Sequence, residues 1–197
     1  MEDLFSNHID LFIPTPSSSQ QTSSGEERFI PNPRYRDNSD ILAMYRFVGN
    51  LIGVSLRTRQ QLGFELSPQI WKMIVSEATS EEDIEIIDKA FSDMIREVEE
   101  TTDDMRDVFS TIFDLAMIIT DTAGNDVELV PGGESIPVTW ENRLEFVRLA
   151  RDCRLEEGIP AAERIAEGVW EMVPKKVLTL FTWEQLERSV KGAPEVG

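Results

Sequence analysis

The chain has 197 residues, of which 41% are hydrophobic and 28% charged. This balance is typical of a globular protein and excludes a chain disordered throughout. Its 37 acidic and 19 basic side chains leave a net charge of −18, which disfavours nucleic acids and anionic membranes as partners and favours basic proteins.

The chain has one cysteine, Cys153, and one histidine, His8. This inventory excludes an intramolecular disulfide and a structural zinc site with four Cys or His ligands. The first residues lack the basic and apolar pattern of a signal peptide. The sequence therefore predicts a protein without metal or cofactor in the cytoplasm or the nucleus.

Residues 1–38 show no helical pattern and predict an extended segment. Within it, residues 17–25 form a polar tract that buries nothing and predicts a mobile loop. Residues 29–33 predict extended chain, because each proline biases the residue before it away from the helical conformation.

The first long helix is predicted over residues 39–57, where apolar side chains recur at intervals of three and four residues. Gly49 and Gly53 lie one turn apart inside it, although glycine disfavours a helix interior by about 1 kcal/mol relative to alanine. The pair therefore predicts a neighbour packed closely against that side of the helix.

The next elements are two helices that begin at recognisable caps. Ser67 followed by Pro68 predicts the start of a short helix. Ser80 and the acidic residues after it predict the start of a second helix, which the apolar pattern continues to Val98.

A small β element is predicted in the middle of the chain. The apolar run at residues 111–119 favours a strand, Gly124 and Asn125 favour a turn, and residues 126–130 favour the partner strand. Further helices are predicted from Thr139 to about residue 155, over residues 160–173 and over residues 182–190. The predicted fold class is α+β, mainly helical, with a small β-hairpin element.

No active site is visible from the residues alone. Cys153 shares a helical stripe with apolar residues, which favours a small core residue over a nucleophile, and neighbouring acids disfavour its thiolate. His8 is interpreted as a solvated side chain. The acidic residues 97–107 lack the pattern of a calcium-binding loop, and two interpretations stay open, a solvated turn and a docking surface.

Several ordered motifs nevertheless resemble the N-terminal lobe of HECT-type ubiquitin ligases. They are residues 47–57 (FVGNLIGVSLR), 131–139 (PGGESIPVT), 141–143 (ENR), 145–147 (EFV), 173–174 (VP), 178–181 (LTLF), 184–187 (EQLE) and 192–195 (GAPE). Residues 10–16, 52–54 and 57–58 resemble in particular the large HERC-type ligases.

This resemblance implies a fold and a division of the chain. Residues 39–197 are expected to form a partial HECT N-lobe, in which about residues 68–130 are a small subdomain that docks a ubiquitin-conjugating enzyme. In that family a cysteine of a separate C-lobe accepts ubiquitin as a thioester and passes it to a substrate. That cysteine is expected beyond the end of this chain, and Cys153 corresponds to a non-catalytic position.

The resemblance also implies the site residues. The docking groove is expected to involve Phe91, Ile95, Val98, Phe113 and Phe146, although their spacing alone would fit ordinary core residues. Phe113 is expected on the strand, next to a stretch between Glu100 and Thr111 that departs from the family pattern. Acidic side chains are expected to steer the partner, namely Glu97, Glu99, Glu100, Asp103 and Asp104.

Two functions follow from these expectations. The first is the docking part of a HECT-type ubiquitin ligase, with a ubiquitin-conjugating enzyme and ubiquitin as partners. The alternative is a non-catalytic acidic interaction module derived from a HECT N-lobe.

Overall fold

The computed structural model describes residues 10–20 and 27–192. His8, most of the predicted polar loop and the motif after Gly192 lie outside the described residues. The described fold is mainly helical, with two pairs of short antiparallel strands. The predicted α+β class is confirmed.

The first strand pair joins β1 (Phe12–Pro14) to β2 (Phe29–Pro31), with Phe12 opposite Pro31. Between them lies α1 (Pro16–Gln20), so the prediction of a mobile loop from residue 17 was wrong for these residues. The cause is local and tertiary. Thr15 Oγ1 accepts a hydrogen bond from Ser18 N at 3.2 Å, and Ser17 Oγ accepts one from Lys89 N at 2.9 Å.

The longest helix, α2 (Ser39–Thr58), packs against α8 (Ile159–Met172). Its first turn is capped by the Asn38 side chain, which accepts from two backbone N–H groups. A Cβ atom on Gly49 would lie 2.0 Å from the carbonyl oxygen of Ile165. The close neighbour predicted from the two glycines is therefore confirmed, and it is α8, whose backbone faces Gly49 and whose Met172 side chain faces Gly53.

The first hydrophobic core forms around this helix pair and includes α3 (Pro68–Val75), α9 (Lys175–Leu178) and α10 (Trp183–Lys191). The predicted start of α10 is confirmed, since Thr182 and Gln185 form a reciprocal capping box. The largest fully buried side chains of this first core include Trp71, Tyr45, Phe64, Ile52 and Leu66.

The helix predicted to run from Ser80 to Val98 is two helices, α4 (Glu81–Ile87) and α5 (Lys89–Glu100). Asp88 interrupts it with extended torsion angles (φ −146°, ψ 86°). Its carboxylate accepts a hydrogen bond from Phe91 N at 3.1 Å and so caps the second helix. The sequence did not reveal this break, because the apolar residues keep their helical spacing on both sides of Asp88.

The predicted strand over residues 111–119 was mostly wrong. A 3-10 turn (Asp103–Val108) leads into the short helix α6 (Phe109–Ile112), and the strand β3 covers only Ile118–Thr120. Burial of Phe109, whose ring packs 4.9 Å from Phe113 and 5.9 Å from Trp140, fixes this segment as helix. The predicted partner strand is present as β4 (Asp126–Glu128), paired antiparallel with β3.

The second hydrophobic core lies between α4, α5, α6, the β3–β4 hairpin and α7 (Arg143–Glu156). Helix α7 was predicted to begin at Thr139 but begins at Arg143, and the Asn142 side chain before it accepts a hydrogen bond from Thr139 N at 2.7 Å. Helix α3 packs in the first core and α7 in the second. The subdomain boundaries at about residues 68 and 130 stay a prediction.

Candidate docking groove

A groove of about 670 Å³ opens on the surface of the second core. One wall is the first half of α5, and the other is the chain from Asp114 to Thr122 that contains β3. Phe146 and Arg154 of α7 lie between the walls. Apolar side chains dominate the lining, namely Phe91, Met94, Leu115, Ile118, Ile119 and Phe146.

Both walls follow from the sequence of their elements. Helix α5 turns Phe91, Ile95 and Val98 towards the second core, which leaves Met94 half-buried at the edge of that face. Strand β3 alternates its side chains, so that Ile119 is buried and Thr120 is exposed. The hairpin turn contains Gly124 at a φ of 86°, a conformation that glycine adopts without strain.

The predicted docking residues occupy different places. Phe91 and Phe146 line the groove, although they are only 8% and 1% exposed. Ile95 and Val98 do not line the groove and are buried in the same core. Phe113 caps α6 rather than standing on a strand, which corrects that expectation, and it packs against Phe109.

Of the groove residues, only Phe91 and Phe146 were predicted as site residues, and the others were missed. Met94 carried a usable signal, because it follows Phe91 by three positions on the apolar side of a helix. Leu115 and Ile118 belonged to the apolar run, but a run interpreted as one strand does not show which side chains face outward. Arg154 gave no signal in the sequence, since an arginine on a charged helix is usually solvated.

The acidic residues predicted to steer a partner are all exposed, namely Glu97, Glu99, Glu100, Asp103 and Asp104. Glu99 is paired with both Nη atoms of Arg151, at 3.0 and 2.5 Å. The hydrogen bond from Arg151 lowers the pKa of Glu99. Glu99 therefore contributes less to the field around the groove than its formal charge suggests.

Cys153 is half-buried against the second core. Burial, together with the charge of Glu157, raises the pKa of the Cys153 thiol. A thiolate is the reactive form of cysteine. The predicted structural role of this cysteine therefore agrees with its surroundings, at the edge of the core rather than inside it.

Residues 10–20 and 27–192 contain no group of three or more His, Cys, Asp or Glu side chains placed to hold a metal ion. No helix among them is long and apolar enough to cross a membrane.

Comparison with known proteins identifies related chains over nearly the whole sequence. The mouse E3 ubiquitin-protein ligase HERC2 is 29% identical over 198 residues, which cover 99% of this chain and 4% of that protein. The zebrafish ligase HACE1 is 28% identical over 98% of this chain and 21% of that protein. The Arabidopsis ligase UPL2 is 28% identical over 89% of this chain and 5% of that protein.

The chain thus spans about a twentieth to a fifth of the length of these relatives. The model of the HECT-domain (ubiquitin-transferase) family matches residues 1–197, the whole of the sequence. This chain belongs to the HECT-domain family.

Proposed function

We propose that this chain is the part of a HECT-type ubiquitin ligase that docks a ubiquitin-conjugating enzyme. The observation that supports this most is the groove, because its concave lining is mainly apolar and also carries the charged side chains Asp88, Asp114, Asp121 and Arg154, a combination typical of a binding site. Family membership supplies the class of partner. The single cysteine of the chain fits a reducing compartment, so the proposal includes the cytoplasm or the nucleus.

The chain's own contribution is to hold the partner, and the groove walls suit this task. An apolar side chain of the conjugating enzyme would enter between Phe91 and Ile118 and exclude water from both. In the complete ligase, a thiolate elsewhere would attack the thioester carbonyl of ubiquitin and release the conjugating enzyme's thiolate. Docking raises the rate of such a step by bringing the two sulfur atoms close together.

The proposal is tested by calorimetric titration of the 197-residue chain with each member of a panel of recombinant ubiquitin-conjugating enzymes. Saturable binding by at least one member, with a dissociation constant below about 100 μM, would support docking. No binding by any member would contradict it.

One observation favours the alternative, a non-catalytic acidic interaction module. Met105, Val108 and Ile112 are each between 38% and 48% exposed and follow one another at helical spacing. Exposed acids flank them, including Asp104 and Asp107. The downstream reading frame of the parent gene distinguishes the ligase from the interaction module. A C-lobe with a cysteine encoded there would favour the ligase.

Cys153 is expected not to accept ubiquitin. Its raised thiol pKa and half-buried position leave little accessible thiolate at neutral pH. Incubation with a conjugating enzyme charged with ubiquitin should give no reducible adduct on the chain, and Cys153→Ser should behave as the unaltered protein. The control is alkylation by iodoacetamide, which should be slower for Cys153 than for a free cysteine at the same pH. A reducible adduct that Cys153→Ser abolishes would contradict this expectation.

The association rate is expected to fall as salt rises. The exposed acids at the end of α5 and in the turn after it attract a basic partner over a distance that salt shortens, from a Debye length of about 10 Å at 0.1 M to about 3 Å at 1 M. The double variant Glu97→Gln/Glu100→Gln should associate more slowly than the unaltered chain at low salt, with little change in dissociation.

The matched control is Glu163→Gln/Glu184→Gln, which removes two exposed acids from α8 and α10 of the first core. Stopped-flow measurements at several salt concentrations provide the rates. The steering role would be contradicted by an association rate that does not change with salt, or by an equal loss of association rate in the control. The acidic residues would then be interpreted as a solvated turn.

A further inference from the structure

A line of apolar side chains is exposed on the 3-10 turn (Asp103–Val108) and the short helix α6 that follow α5. Met105, Val108 and Ile112 are 38%, 44% and 48% exposed. Residues three apart eclipse one another in a 3-10 helix, so Met105 and Val108 lie one above the other. Ile112 continues the same face one helical turn later. These three side chains are called the apolar column.

The same geometry places two acidic side chains beside the apolar column. Asp104 and Asp107 are also three residues apart and both are exposed, so they form a second, acidic column along the turn. Neither forms an ion pair with any of residues 10–20 and 27–192. The basic residue of the turn, Arg106, pairs with Glu141 instead, at 2.8 Å.

The turn is held in place although its apolar column is not buried. Phe109, the first residue of α6, is 1% exposed, and its ring packs 5.9 Å from that of Trp140. The Arg106–Glu141 pair joins the turn to the same stretch of chain before α7. Single apolar side chains on a surface are ordinary, but an aligned set on an anchored segment is typical of an interaction site.

The docking function does not account for this surface. None of the three apolar side chains lines the groove. Met105 and Val108 lie in the stretch between Glu100 and Thr111, which departs from the family pattern. The column is therefore a feature of this chain beyond what it shares with its relatives.

We propose that the apolar column and its acidic neighbours bind a basic amphipathic helix of a partner protein. An apolar stripe on that helix covers the column, and lysine or arginine side chains next to the stripe pair with Asp104 and Asp107. The net charge of −18 favours a basic partner and disfavours a second copy of this chain. The inference does not require that the chain binds a conjugating enzyme.

The test uses two synthetic peptides made only of leucine and lysine, each about 20 residues long so that a helix can form. In the striped peptide the leucines occupy the heptad a and d positions. The scrambled peptide has the same composition and charge without a stripe, so it measures the unspecific attraction of a cation to this acidic chain. Fluorescence anisotropy of the labelled peptides gives the affinities, and hydrogen exchange over residues 102–112 locates the contact.

The apolar column is tested by Met105→Gln/Val108→Thr. The matched control is Met44→Gln/Val54→Thr, the same two exchanges at α2 side chains that are 39% and 43% exposed. All four positions lie at the surface, and melting curves show that each variant is folded.

The acidic column is tested by Asp104→Asn/Asp107→Asn. Its control is Asp37→Asn/Asp40→Asn, which removes two other exposed aspartates with the same spacing.

The unaltered chain is expected to bind the striped peptide about tenfold more tightly than the scrambled one, as a few apolar anchors can provide. Met105→Gln/Val108→Thr should remove this preference, and its control should keep it. Asp104→Asn/Asp107→Asn should weaken binding of the striped peptide about threefold at low salt, the scale of exposed ion pairs. The aspartate control should weaken it less.

Three results would overturn the inference. The first is equal affinity for the two peptides, and the second is an equal loss of preference in the Met44→Gln/Val54→Thr control. The third is self-association of the unaltered chain in sedimentation that Met105→Gln/Val108→Thr abolishes, which would assign the column to a second copy. A chain that binds no conjugating enzyme but prefers the striped peptide would contradict the proposed function and support this inference.

Discussion

Gly49→Ala is expected to lower the free energy of unfolding by about 3 kcal/mol, the upper range for an overpacked core. The added methyl group would lie 2.0 Å from the carbonyl oxygen of Ile165 and 3.0 Å from the Cα of Gly168. Both contacts are backbone, so no side-chain rotation can relieve them. Helices α2 and α8 must move apart, which opens the first core that they share. The gain in helix propensity, about 1 kcal/mol, offsets only part of this cost.

Thermal and urea unfolding followed by circular dichroism measure this effect, and the melting temperature should fall by on the order of 10 °C. The matched control is Gly63→Ala, because a Cβ atom there has nothing within 4 Å. That variant should unfold like the unaltered chain or slightly later, since alanine restricts the unfolded state. Equal stability of the two variants would contradict the close approach of α2 and α8.

Phe91→Ala is expected to weaken binding of a conjugating enzyme by about 2 kcal/mol, as truncation of a buried aromatic anchor commonly does. This corresponds to roughly thirtyfold in the dissociation constant. The ring forms part of the α5 wall, and its loss would leave a wider groove with less apolar surface. Met94→Ala should weaken binding in the same direction, at less risk to the fold because Met94 is only half-buried.

The control for Met94→Ala is Met44→Ala, the same exchange at a helical methionine that is 39% exposed on α2. Calorimetry with one conjugating enzyme measures all three variants, and their melting curves show whether each is folded at the temperature of the titration. Folded Phe91→Ala and Met94→Ala variants that bind like the unaltered chain would remove this groove as the docking site. Ile95→Ala is a poorer test than the sequence indicated, because Ile95 is 2% exposed and its loss would disturb the core itself.

The helices α2, α8 and α10 could be predicted closely from the sequence. Each combines a continuous apolar repeat with a local start or stop signal, such as Thr182 with Gln185 at the start of α10. Such signals act between residues a few positions apart, so they can be recognised without the rest of the fold. The close approach of another element to α2 could be predicted for the same reason, since Gly49 and Gly53 lie on one face of that helix.

The elements around the groove could not be predicted in this way. The Asp88 carboxylate that caps α5 also pairs with Arg154, 66 positions later, and the Phe109 ring of the short helix α6 packs against Trp140. A local apolar pattern does not contain these partners. Expectations based on pattern therefore joined α4 to α5 and made residues 111–119 one strand.

The sequence by itself determined the composition class, most helices and, through its ordered motifs, the family. Only the tertiary structure decided which apolar side chains form a groove and which form the core beneath it. Phe91, Met94 and Val98 share one helix, yet the structure leaves Met94 half-buried at the groove and encloses Val98 completely. The reason is physical: burial depends on where α7 and the β3–β4 hairpin cover α5, and that contact joins residues far apart in the chain.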